Sequence, residues 1–155
     1  MHARTFLALL IGALLSVGSA AAAEKPAEGF TLHIDAKLHF PGAADMVAHH
    51  YCKGVAGGMT ECLLFESDEP NARLVGVEVI IGADAHAALP DDEKAVWHYH
   101  KEEIPKVSVT LPDLSAEEGA KVLKDVEETY GKIYLLWDPG NSDEPVGNPS
   151  VAIVH

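Results

Sequence analysis

Residues 73–81 read Arg-Leu-Val-Gly-Val-Glu-Val-Ile-Ile. β-Branched side chains dominate this run and favour a pleated strand. Its near-continuous apolarity predicts a central strand, so the chain must build a sheet around it. Glu78 interrupts the run. A buried carboxylate needs a partner or a raised pKa, and Arg73 or a histidine can supply the partner. The other reading is a one-sided strand with Glu78 facing water.

The remaining elements follow from period and punctuation. Phe30 to Phe40 alternates, with Phe30, Leu32, Ile34, Ala36 and Leu38 on one face and His33, Asp35, Lys37 and His39 on the other. Cys62 to Phe65, Lys106 to Leu111, Lys132 to Trp137 and Val151 to Val154 read as further strands. Residues 43–53 read as a short helix or an irregular stretch, and the glycines at 54–58 as a loop. A helix is expected from about residue 91, ending near 101–103 because Ile104 precedes Pro105. The clearest helix covers 115–129, where Ser115 and Glu118 form a capping box and Gly131 closes the far end. Strands mixed with about two helices, without regular alternation, predict a single small α+β domain with a mainly antiparallel sheet.

The first 23 residues carry a short basic start, the apolar run Phe6 to Val17 and then Ala21-Ala22-Ala23. That order is a cleavable export signal. The run is too short to span a bilayer, which takes roughly 20 residues. The expectation is a periplasmic or secreted domain, residues 24–155, with no transmembrane segment. The formal net charge of −13 argues against nucleic acid, which is bound by neutralising phosphates.

An oxidising compartment makes a Cys52–Cys62 disulfide the first reading. Two rivals are Cys52 as a metal ligand beside His49 and His50, and Cys52 as a nucleophile with one of them as base. The histidines form two tight clusters, His49-His50-Tyr51-Cys52 and Trp97-His98-Tyr99-His100 followed by Lys101-Glu102-Glu103. Imidazole with carboxylate or thiolate suits zinc or copper. Histidines at i and i+2 point the same way only on extended backbone; on a helix they diverge by about 200°. His98 and His100 can therefore share an ion only if the helix from residue 91 ends by Trp97. The candidate ligands are His98, His100, His49, His50 and Glu103, with Glu78 in reserve. His33 and His39, six apart on one strand, would lie about 20 Å from each other. Strict zinc, P-loop and nucleophile-elbow motifs are absent from the sequence.

Several stretches in one order resemble the oil-body-associated protein family: HHYCK (49–53), ECLLFES (61–67), PNARLVGVEVII (70–81), LPDDEKAVWHYHKEEI (89–104), YGK (130–132) and DEPVGNPSV (143–151). The resemblance covers roughly residues 30–151 and implies a shared fold and shared positions for His49, His50, Cys52, His98, His100 and Glu103. It brings no established reaction. Where plant members carry a histidine two residues before the tryptophan matched by Trp137, this chain has Leu135. The expected function is a small exported binding protein with a His-rich site for zinc or copper. The alternatives are a hydrolase-like enzyme using the same His/Glu groups and a lipid- or partner-binding module without chemistry.

Overall fold

The computed structural model describes residues 25–154. The expected export signal and His155 lie outside the described residues. Seven strands form one sheet: β1 (Leu32–Ala36), β2 (Ala48–Val55), β3 (Met59–Phe65), β4 (Leu74–Gly82), β5 (His98–Tyr99), β6 (Thr129–Leu135) and β7 (Ser150–Ala152). Their order is β1-β2-β3-β4-β6-β5, with β7 also on β6, and every pairing is antiparallel. The run at 73–81 is central as expected, between β3 and β6. Four helices accompany the sheet: α1 (Ala83–Ala87), α2 (Asp91–Lys94), α3 (His100–Glu103) and α4 (Ala116–Glu127). The domain is dominated by its sheet and has more, shorter helices than the two expected.

Four local expectations are corrected. Residues 43–53 are not helical; most of them belong to β2. Its inward positions are Ala48, His50 and Cys52, so the buried face contains a histidine and the alternation does not read as apolar against polar. The stretch from 91 splits, because α2 stops at Lys94 and the chain then extends so that His98 and Tyr99 pair with Gly131 and Tyr130 of β6. Lys106 to Leu111 is not a strand. Ser108 sits at φ 52°, outside the strand region, and the segment joins the sheet only through a bridge from Thr110 to Asp35. Finally, α4 keeps its capping box but ends before Gly131, which belongs to β6.

The inner face of the sheet is set by register. Ile34, His50, Leu64, Gly76 and Leu135 lie side by side across five strands. The next row runs Leu32, Cys52, Cys62, Glu78 and Ile133. Leu64, Ile133 and Leu135 are fully buried. Cys52 and Cys62 are direct cross-strand neighbours joined by a disulfide. α4 and the 104–109 segment close over this face, where Val107, Val109, Leu123 and Val126 line a cavity.

Candidate metal centre

Glu78 is the pivot of the inner face, and its side chain is 4 % exposed. Its Oε1 lies 3.0 Å from His98 Nε2 and 3.2 Å from His100 Nε2. Its Oε2 lies 3.4 Å from His50 Nε2. Glu103 Oε2 is 3.5 Å from His98 Nε2. His39 packs edge-on against His50, ring centroids 4.7 Å apart. Two groups of donor atoms result, each lying within 4.8 Å of one another: Glu78, His98 and His100, and His39, His50 and Glu78.

Local geometry explains the convergence. Tyr99 is extended at φ −94° and ψ 114°, so His98 and His100 project to the same side, which is the condition the sequence had set. Both reach Glu78 by passing over Gly131, which pairs with His98 on one side and Ile80 on the other. A Cβ at Gly131 would lie 2.1 Å from Glu78 Oε1, 2.3 Å from His98 Nε2 and 2.8 Å from His100 Nε2. Glycine is therefore required for the three donors to share one space.

The outer nitrogens fix the tautomers. His39 Nδ1 donates to the Lys37 carbonyl at 2.7 Å. His50 Nδ1 donates to the Ile34 and Ala48 carbonyls, both at 3.0 Å. A carbonyl only accepts, so the proton of each neutral ring sits on Nδ1. His100 Nδ1 lies 2.8 Å from Thr129 Oγ1, and that hydroxyl already donates to the Val126 carbonyl at 2.6 Å. His100 Nδ1 thus meets an oxygen whose own proton is committed elsewhere, and its Nε2 lies 3.2 Å from Glu78 Oε1, while the His50 Nε2 lone pair faces the other carboxylate oxygen. Acceptor facing acceptor is unfavourable unless a proton or a cation lies between them. Imidazoles held from behind in this way are the usual arrangement of metal-ligating histidines.

Charge sharpens the point. Burial pushes Glu78 upward, but its contacts with His100 and His98 outweigh this and hold it well below the usual carboxylate range. Burial, and then the charge of His50, lowers His39 to about 3, and burial also lowers His50. Burial and then the Glu78 charge raise Glu103 to about 8. At neutral pH the centre holds an ionised buried carboxylate, a neutral Glu103 and at least two neutral imidazoles, a donor set for a divalent cation. Ligands at about 2.0–2.2 Å from one ion stand roughly 3.3 Å from each other in tetrahedral geometry, close to the separations around Glu78.

The expected ligands divide. His98, His100, His50 and Glu103 come together, and Glu78 joins them with histidines as its partners; Arg73, itself exposed, instead pairs with Glu66. His49 does not join. It pairs with Asp35 across β1 and β2 and projects from the opposite face to its neighbour His50. Cys52 is in the disulfide, which removes both rival roles. Trp97 lies outside the centre, donating to Glu93 Oε1 at 3.0 Å. His39, set aside as lying on one strand with His33, joins the centre because β1 ends at Ala36 and Leu38 turns the chain at φ 65°, bringing His39 inward. Thr129 and Gly131 were missed too; Gly131, embedded in an otherwise strand-like run, was the one available signal.

Residues 25–154 match the family described as "Protein of unknown function (DUF1264)". Among individual proteins, the chain is similar to oil body-associated protein 1B of Arabidopsis thaliana, 36% identical over 110 residues, covering 70% of this chain and 46% of the relative. It is similar to oil body-associated protein 1A of Zea mays, 33% identical over 108 residues, covering 69% of this chain and 45% of the relative. The chain thus spans less than half the length of these relatives. No solved structure matches.

Proposed function

The chain belongs to the oil-body-associated protein family, whose function is unknown, and from that premise we propose that it is an exported binding protein for a divalent transition metal, zinc or copper. One observation carries this reading: the Nε2 atoms of His98, His100 and His50 converge on the buried Glu78 carboxylate at 3.0, 3.2 and 3.4 Å. Glu78, His98 and His100 are the primary ligands, and His50, His39 and Glu103 complete the set. The disulfide supports an oxidising compartment, as does the signal-like N-terminus. No helix among the described residues is long and apolar enough to cross a membrane. The name of the plant relatives refers to oil bodies.

Elemental analysis of untagged protein tests the proposal. The expected result is zinc or copper bound in stoichiometric amount and lost in His98→Ala and Glu78→Gln. Protein that stays metal-free after loading with both ions overturns it. A second reading, an enzyme using the same groups, draws on Glu103. Held near pH 8 beside a cavity of about 40 Å3, it is suited to acid–base chemistry. Hydrolysis of no ester, amide or phosphate in a broad panel counts against it.

A further inference from the structure

The opposite face of β1 and β2 carries a second cluster with its own geometry. His33 and Asp35 are two apart on β1 and share that face. His49 stands directly opposite Asp35 on β2. Asp35 Oδ1 lies 2.9 Å from His33 Nε2 and 2.7 Å from His49 Nδ1. All three atoms are buried, yet none makes a hydrogen bond. The distances suit hydrogen bonds and the directions do not, so the nitrogens address a space beside the oxygen. That is how ligands of a shared ion stand to one another.

The far side of His33 is also held. Its Nδ1 lies 3.4 Å from Asp113 Oδ2, and its ring stacks on Tyr51 with centroids 4.4 Å apart. A carboxylate behind one ring nitrogen commits the proton there and leaves the other nitrogen free to ligate. The His33 side chain is 95 % buried, while Asp35 and His49 keep an edge in solvent. The Asp35 backbone is fixed by reciprocal hydrogen bonds with Thr110 at 2.8 and 3.0 Å, so the carboxylate is borne on rigid chain.

We infer that His33, Asp35 and His49 form a second site for a divalent transition metal, separate from the centre around Glu78. Two imidazoles and one carboxylate supply three ligands and leave the remaining positions to water or an incoming ligand. Asp113 positions His33 and does not touch the ion. The inner centre borders a cavity lined by Glu78, His100 and Glu103, whereas this cluster lies on the other face of the same two strands.

Equilibrium dialysis of the full, untagged protein against zinc chloride tests this, with bound zinc counted per chain. Asp35→Asn and His49→Ala should each weaken one class of zinc sites at least tenfold and leave the other unchanged. Glu78→Gln should show the reverse. Circular dichroism confirms that each variant is folded, and His49→Ala, at a partly exposed position, serves if Asp35→Asn does not fold. Zinc binding unchanged in number and affinity in folded His49→Ala or Asp35→Asn overturns the inference. Zinc lost in these variants from a protein indifferent to Glu78→Gln upholds it and overturns the inner site instead.

Discussion

The two faces of the β1–β2 hairpin carry histidines under opposite conditions. His50 points inward, is protonated towards backbone carbonyls and lies with Glu78 beside the inner cavity. His49, its neighbour in sequence, points outward to Asp35 within reach of solvent. Of the inner rings, His39 and His50 are oriented by backbone carbonyls and His100 by a threonine, while the outer His33 lies beside an exposed aspartate. Adjacent residues on a strand join different clusters because the pleat alternates them.

The sharpest way to break this contrast is Gly131→Ala. Its Cβ would enter the inner centre within 2.1 Å of Glu78 Oε1, and Glu78 has no flexible exit. We expect loss of the inner metal and destabilisation of about 3 kcal/mol or more by chemical denaturation, with the outer zinc class unchanged where the protein folds. Retention of the inner metal would show that the donors do not share the space over Gly131. Glu78→Gln is next. Inner zinc affinity should fall at least ~100-fold, measured by competition with a chromophoric chelator.

Reducing the disulfide, or replacing both cysteines by serine, should cost about 2–3 kcal/mol through the short loop it closes. Because Cys52 and Cys62 line the inner cavity, inner zinc should weaken with it and outer zinc should not.

Acid separates the faces further. His39 is held neutral down to about pH 3, against an ordinary value of 6.5. Below pH 6.5 the unfolded chain binds a proton that the folded chain refuses, so unfolding takes up protons and stability falls as pH drops from 6.5 to 3. Metal-free protein should show this acid loss in urea titrations, and His39→Phe should flatten it. The smallest effect belongs far from both sites. Ser115→Ala removes the cap of α4 and should cost ~1 kcal/mol without changing zinc stoichiometry.

Much of the frame was legible. The run at 73–81 announced a central strand because β-branching and near-continuous apolarity leave few alternatives. Ser115 and Glu118 announced α4 because a capping box is local chemistry. The condition on His98 and His100 was legible as geometry: they could cooperate only on extended chain, and Tyr99 supplies it. β2 was hidden because its inward face includes a histidine, which composition reads as polar. His39 was hidden because one positive φ, at Leu38, reverses a pattern that alternation alone would continue. The use of Gly131 was hidden because the close approach of Glu78, His98 and His100 is tertiary, and a glycine just after a helix reads first as its cap.

The central claim is that a metal sits among imidazoles and carboxylate on the inner face. Zinc X-ray absorption on Asp35→Asn protein loaded with one equivalent tests it most directly, since the outer site is then disabled. The expected spectrum has a nitrogen and oxygen shell at about 2.0–2.1 Å, with imidazole scattering beyond it and no sulfur near about 2.3 Å. A spectrum of hydrated zinc without imidazole scattering, or one with a sulfur shell, would contradict it.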